Sequence, residues 1–465
     1  MDKLYKVVQE ATAKWLRRRL NGPSTMTRTS TSTKRRPSIK EVPSPAYSSL
    51  EGVNTKTMSS RLYPVLKILQ AAGFVAFRFG RSGKPHIGGS LLAQLWTLIC
   101  CIVAMGTFAF TIFVADALRK QFTLFDITVI TFIISGLKPG HGLFNLICIG
   151  PCARKAHVRV IKLMDAIDLQ FRQHFHRTPS VKHTTILFIA ITLLTIVTTG
   201  GLRIFEYVLM ESKLGQNLIT DMSLILVSFL SLWQLIPLYY FIYINHFIRC
   251  WFCYLELELR KDYRLLKRPM RFYYLHYYRL TLLMANVGNL FHPFIFFSLV
   301  FSILVLCLTI YFVSEAQNIL LFIPTDLEPF QQRIRTTFPL VWSLLQIITA
   351  FLYIIIICVT GTRTNERARA ITRTVLAIAP EEDKNRNNAL WIIHRAQAQH
   401  CWGLSVWRAI PLERPLLFTI ASIMGTFAIV LLKLKEETIS CFGTRTTGHL
   451  KQAILGSILK NLTGT

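Results

Sequence analysis

Acidic residues are scarce in this chain of 465 residues: 24 Asp and Glu stand against 53 Lys and Arg, and charged residues make up only 17% of the total. A water-soluble globular chain carries roughly 25% charged residues. With hydrophobic residues at 52%, the composition excludes an ordinary soluble enzyme and points to lipid. Ten cysteines over this length are too few for a secreted disulfide scaffold. The first residues lack the basic, apolar and small-residue order of a secretory leader. No G-x-x-x-x-G-K-[ST], G-x-S-x-G or H-E-x-x-H occurs, so none of these nucleotide, esterase or zinc-protease sites is expected. Cys250 and Cys253 have two-residue spacing but no second ligand pair, so no metal, cofactor or enzymatic activity is expected.

What is present is a series of long apolar runs. A bilayer-spanning helix needs about 20 mainly apolar residues. Seven stretches qualify or nearly so: 91–114, 122–149, 184–201, 222–244, 287–313, 338–361 and 415–435. The second contains Lys138-Pro139-Gly140-His141-Gly142, where it either ends or continues as a broken helix. Lys and Arg alternate in density between successive connecting segments, 41 on one side of the spans against 9 on the other. Cytoplasmic loops carry the Lys/Arg excess, so the N-terminus is expected inside and the C-terminus outside. Anionic inner-leaflet lipid also accounts for the net charge of +29 without nucleic acid.

The fold class expected is therefore all-α: a seven-span helical bundle in the plasma membrane with cytoplasmic helical extensions. Residues 1–60 read as a tail, with an amphipathic helix followed by a disordered Ser/Thr/Pro/Arg-rich stretch. Residues 61–361 hold the first six spans. Residues 362–412 read as an inner helical segment containing helices at 365–379 and 388–402, residues 413–435 as the last span, and 436–465 as an external tail. Spans four and five are expected to run on inward. The tyrosines Tyr273, Tyr274, Tyr277 and Tyr278 read as an interfacial aromatic belt. Ser38 follows Arg35-Arg36-Pro37, a basic stretch of the kind kinases read, and Asn461 heads the one glycosylation sequon. The ionisable residues within spans are Asp126, Lys138, His141, His292 and Lys433, the default functional candidates in a membrane protein. His292-Pro293 reads as a bend with a structural role.

The last span contains Thr426-Phe427-Ala428-Ile429-Val430-Leu431-Leu432-Lys433-Leu434. This resembles the T-Y-hhhhh-Q-F signature of the insect gustatory receptors, with identical spacing, and the similarity is best over residues 340–434. Phe427, Lys433 and Leu434 depart from the signature's Tyr, Gln and Phe. The resemblance implies a tastant-gated, non-selective cation channel of four subunits, like or mixed, whose last spans line the pore and whose inner helices hold the assembly. It places a small-molecule ligand in the outer half of each subunit, among the second to sixth spans. Polar and aromatic residues there are Asp126, Ser228, Ser231, Trp233, Thr309, Tyr311, Trp342, Ser343 and Gln346. By helical spacing, Thr426, Val430, Lys433 and Glu437 share one face of the last span. Lys433 lies about 27 Å along from Pro415, where it either faces the axis, snorkels outward or pairs with Glu437. Three alternatives stay open: a non-conducting or auxiliary subunit of the same family, a G-protein-coupled receptor and a transporter. The second requires an outside N-terminus, and the chain lacks its acid-Arg-Tyr and Asn-Pro-x-x-Tyr motifs. The third has internal repeats of broken helices, and only one such break is present here.

Overall fold

The computed structural model describes residues 57–79, 85–86, 91–119, 127–211, 218–265, 270–319, 329–378, 403–407, 410–427, 429–430 and 433. The side chains of 78–79, 85–86, 110–132, 135, 199–200, 202–211, 218–231, 262–265, 270–271, 314–319, 329–342 and 376–378 are not among them. All described residues belong to the unit Lys56–Thr465.

Nine helices are described: α1 Met58–Ala71, α2 Leu91–Arg119, α3 Ile127–Ile149, α4 Arg154–Phe175, α5 Val181–Glu211, α6 Leu218–Leu265, α7 Met270–Ile319, α8 Pro329–Ile378 and α9 Arg414–Phe427. Two short hairpins join them, β1 Arg78–Phe79 with β2 Pro85–His86, and β3 Ser405–Val406 with β4 Ile410–Pro411. The protein is an all-α helical bundle, and among the described residues a helix lies over at least part of each of the seven apolar runs.

Four helices carry stretches long and apolar enough to cross a bilayer among the described residues: Leu91–Ala109, Val181–Thr198, Phe272–Val313 and Ser343–Val375. Their outward surfaces are apolar. Leu92, Leu95 and Leu98 on α2, Leu187, Leu194 and Val197 on α5, and Leu344, Phe351 and Leu352 on α8 are exposed. Apolar faces this long are untenable in water and match hydrocarbon, so this is a multi-pass membrane protein.

Helices α3, α6, α7 and α8 pack against one another at the centre, with α2 on α3, α5 on α6, and α4 on α7. At 1.5 Å per residue, the 48 residues of α6 and the 50 of α7 and α8 extend about 72–75 Å. That is more than twice the ~30 Å hydrocarbon thickness, so all three project well beyond it. The fourth and fifth spans, expected to run on inward, do extend well past a bilayer's thickness. The expected separate helix at 365–379 is instead, as far as Ile378, the last part of α8, because no Pro or Gly interrupts the chain after Gly361. The second expected inner helix, 388–402, lies outside the described residues.

Three further readings change. The helix α1 begins at Met58, capped by Thr57, whose hydroxyl accepts from the Ser60 amide at 3.4 Å, so residues 58–60 are helical rather than part of a disordered tail. The Arg-rich segment after α3 forms α4, whose buried stripe is Val158, Ile161, Met164, Ile167, Phe171 and Phe175. The four tyrosines do not form a belt. Tyr273 and Tyr277 are buried, Tyr274 is half-buried and Tyr278 is exposed. Helical spacing puts the first and third of the set on the core side, and Tyr277 meets the Thr372 hydroxyl of α8 at 3.2 Å.

Buried ion pairs tie α1 to α4. Asp168, 1% exposed, takes Arg61 from α1 and Arg172 one turn along, both at 2.5 Å. Asp165 accepts the Ser59 amide at 2.6 Å. Burial raises the Asp165 carboxyl above its ordinary value. His157 is pushed down to about 4 by burial and is therefore neutral. Its Nε2–H donates to the Ile149 carbonyl at 3.0 Å, which leaves Nδ1 to accept from the Tyr240 hydroxyl at 3.3 Å.

Candidate functional site

The Pro-Gly interruption in the second run does not end the helix. α3 passes through it, with Pro139 inside the helix. Proline supplies no N–H, and here the backbone is supported from outside. Gln234 on α6 reaches across and donates to the Lys138 carbonyl at 2.6 Å. Gly140 lets α2 approach, since a Cβ there would stand 3.0 Å from the Phe108 ring.

One turn further along, α3 turns polar groups into the bundle. His141 Nε2 meets the Ser298 hydroxyl of α7 at 2.9 Å, and its ring stacks on Phe301 at 5.2 Å. The edge of Tyr353 from α8 lies 5.5 Å from the same imidazole. The Tyr353 hydroxyl donates to the Gln234 carbonyl at 2.8 Å. Asn145, wholly buried, faces that hydroxyl. The Tyr353 hydroxyl is within reach, but among the described residues neither amide atom of Asn145 makes a hydrogen bond of good geometry. A buried amide with neither atom well paired costs several kcal/mol, which makes Asn145 a candidate contact for a hydrogen-bonding molecule. The groups converging there are uncharged or apolar: an amide, a phenol, a hydroxyl, an imidazole and aromatic rings. The set suits a small neutral molecule.

This candidate chamber, a cluster of polar and aromatic side chains in mutual contact, lies closer to the middle of the bundle than the outer-half residues expected to bind a ligand. Among those, Trp233 is buried and donates its indole N–H to the Ala72 carbonyl at 3.0 Å, a contact with the end of α1. Thr309 is buried, and its hydroxyl donates to the Val305 carbonyl of its own helix at 2.6 Å. Tyr311 is half-buried and packs with Ile347 in a second core cluster built on Ile134, Leu306, Phe312 and Ala350. Ser343 and Gln346 are buried, and Gln346 Oε1 has no hydrogen-bond partner. Ser228, Ser231 and Trp342 lie on the backbones of α6 and α8, their side chains outside the description. Asp126, Leu434, Glu437, Asn461 and Ser38 fall outside the described residues. Chamber members Asn145, Gln234, Ser298 and Tyr353 escaped a search confined to the outer half. Asn145 stands close after the Pro-Gly break in sequence, but Gln234 is 96 residues from Lys138 and Ser298 is 157 residues from His141, so no local signal marks the rest of the set.

The last helix is held by a second constellation. Asn365 on α8, 1% exposed, donates from Nδ2 to the carbonyls of Leu404 and Leu412, each at 3.0 Å, and accepts the Leu404 amide on Oδ1 at 2.8 Å. The β3–β4 hairpin is thereby fixed to α8 just before α9 begins. The fit depends on glycine. Gly403 has φ +103°, and a Cβ there would lie 2.5 Å from Asn365 Oδ1. Gly361 admits the Leu412 side chain, whose Cβ would be 2.6 Å from an added Cβ. His292 completes the seat, its Nδ1 meeting the Ser405 carbonyl at 2.9 Å, which gives the His-Pro pair the structural role expected of it. Trp407, at φ 50°, lays its ring against Phe296 and Phe297. Arg414 pairs with Glu366 at 2.8 Å, and Arg369 pairs with Glu413.

Beyond this seat α9 touches the bundle along one stripe, Leu416, Ile420 and the half-buried Met424. Phe418, Ile423, Phe427 and Ile429 are exposed. Thr426, Val430 and Lys433, expected to share a face, are also exposed.

No known protein-family profile matches the chain. Over 329 residues it is 33% identical to a protein of Caenorhabditis elegans described as probable G-protein coupled receptor egl-47, covering 69% of this chain. The chain spans 63% of that relative's length. Among solved structures it is similar to the insect olfactory receptor OR5 from Machilis hrabei in complex with eugenol. The TM-score is 0.53 at 14% identity, over 80% of this chain and 97% of that one. A second structure of the same receptor gives a TM-score of 0.53 at 13% identity over the same shares. The chain therefore shares the helical-bundle fold of an insect olfactory receptor.

Proposed function

We propose that this protein is a gustatory-type chemoreceptor of the plasma membrane: a tastant-gated, non-selective cation channel without enzymatic activity. Seven spans put the N-terminus inside, and four like or related subunits surround one axis with α9 lining the pore. One observation carries the reading. α9 buries a single narrow stripe on its own subunit and leaves its remaining apolar surface, with Thr426, Val430 and Lys433, uncovered. Such a surface meets either lipid, as on α2, α5 and α8, or copies of itself; the exposed Lys433, which lipid would not satisfy, supports the second. The gustatory signature over 426–434 and the likeness to an olfactory receptor fold support the same reading. The ligand is a small neutral molecule held between α3, α6, α7 and α8, reaching from Gln346 toward Asn145. Ligand contact moves α8, and Asn365 passes that motion through the hairpin to α9.

A second reading has its own support, since the Caenorhabditis elegans relative is described as a probable G-protein coupled receptor. Expression in cells lacking endogenous responses, with whole-cell recording during a ligand screen, separates the two. The channel reading expects ligand-evoked currents that persist when G-protein signalling is blocked. Responses abolished by that block support G-protein coupling and overturn the channel.

A further inference from the structure

Among the described side chains, each acidic group along the projecting parts of α6 and α8 already has a basic partner. Glu256 takes Arg260 at 2.6 Å and Arg367 at 3.3 Å, Glu258 takes Arg177 at 2.9 Å, Glu366 takes Arg414 at 2.8 Å, and Glu413 takes Arg369. Arg249 and Arg363 have no acidic partner among the described residues.

Helix register brings these two cations together. α6 and α8 run parallel, with Gln234 beside Tyr353 and Glu256 beside Arg367 and Thr374, separations of 119, 111 and 118 residues. Arg363 follows Arg249 by 114 residues, so it falls in the same register, and its charge acts on Arg249. Each arginine stands just past the apolar run of its helix, about 7.5 Å beyond residue 244 and about 3 Å beyond residue 361. A position at the end of an apolar run suits contact with lipid phosphates, whichever way the chain is oriented. His246 lies three residues before Arg249 on the same helix face, with its Nε2 3.6 Å from Cys250 Sγ. Burial, then the charge of Arg249, lowers the proton affinity of His246 below its ordinary value, so it stands there as a neutral ring. Burial and Arg363 likewise disfavour the charged form of Arg249. Two adjacent guanidinium groups, one of them half-buried, are stabilised by an anion that accepts from both.

We propose that Arg249 and Arg363 bind one phosphate group, carried by an anionic lipid headgroup or by a soluble phosphate ester, and so bridge α6 to α8. The bridge lies two residues before Asn365, the residue that holds the α9 hairpin, so its occupancy steadies the seat of the last helix.

The test uses the purified full-length chain in phosphatidylcholine nanodiscs. Binding is read by native mass spectrometry for three probes: dioctanoyl phosphatidylinositol bisphosphate, dioctanoyl phosphatidylglycerol and soluble inositol bisphosphate. The wild type is expected to bind at least one, and the double variant R249Q/R363Q to bind it about 30-fold more weakly. R249K/R363K should retain most of the affinity, and R260Q, whose arginine is satisfied by Glu256, should match the wild type. Lipid-only binding identifies a headgroup site, and equal binding of the soluble probe identifies a free ester; both uphold the phosphate site. If no probe binds, or if R249Q/R363Q binds as the wild type does, the proposal fails. Should the double variant not fold, the single change R363Q at an exposed position gives the same comparison. Because the readout is binding alone, its failure leaves the channel reading untouched, and failure of the channel reading leaves this site standing.

Discussion

The central helices and the last helix are built from similar residues and end in opposite states. Where α7 meets α8 the side chains pack within one chain: Phe291, Phe294, Ile295, Ile357 and Cys358 are wholly buried. Polar groups of the central helices mostly find partners across helices, as His141 does with Ser298 and Tyr353 with Gln234. α9 is just as apolar, but it buries only Leu416 and Ile420 and exposes Phe418, Ile423 and Phe427. The core is finished within one chain, whereas the last helix is fixed firmly at its base and left open along its length. A rigid base with an unfinished shaft is what a helix shared between subunits requires, since its position must be set by its own bundle while its surface is completed by neighbours.

The largest effect is expected at the base. Asn365→Leu leaves the Leu404 amide and the Leu412 carbonyl of a buried hairpin unpaired, and takes one of two donors from the Leu404 carbonyl, which keeps the Leu412 amide at 2.9 Å. The loss should be on the order of 3 kcal/mol or more, seen as a lowered thermal midpoint and loss of assembly on size-exclusion chromatography. Wild-type stability in that variant would mean that the hairpin is held by something else. In the central helices the sign reverses at one place. Asn145→Leu removes two poorly paired buried polar atoms and should stabilise the unliganded protein by about 1 kcal/mol, while weakening ligand responses. If it destabilises the unliganded protein, Asn145 has a partner and the chamber is not a ligand site. On the open helix, Lys433→Glu leaves stability almost unchanged, because the side chain is exposed. If Lys433 faces the axis, the change should raise cation permeability. Unchanged reversal potentials would place the charge away from the axis. The smallest effect belongs to the α1–α4 module. The raised Asp165 carboxyl keeps its proton in the folded state to higher pH than in the unfolded one, so its contribution to stability falls as pH rises above the ordinary carboxylate range. Asp165→Asn should therefore flatten that part of the pH–stability curve, measured by thermal unfolding between acidic and neutral pH.

Much of the bundle was readable from apolar runs alone. The helices α2, α3, α5, α6, α7 and α8 stand over six of the runs, and α9 over the start of the seventh. α4 was hidden from that criterion because Arg154, Lys155, Arg159 and Lys162 interrupt its apolar stripe. The tyrosines at 273–278 were misassigned because aromatic content signals an interface, whereas burial depends on which face of α7 meets α8. The Asn365 seat was not readable at all. Its partners lie 39 and 47 residues away in sequence, and no local spacing announces that an asparagine will cap a distant hairpin. Gly403 and Gly361 look like ordinary loop and helix-end glycines until the neighbours they admit are in place.

The proposal that the last helix is shared between subunits is tested most directly by placing a photoreactive phenylalanine analogue at Val430 and irradiating native membranes, with Ile420 as the buried comparison. The account predicts adducts at multiples of the chain mass from position 430 and none between chains from position 420. Adducts to lipid alone from position 430, with every chain remaining single, would contradict it.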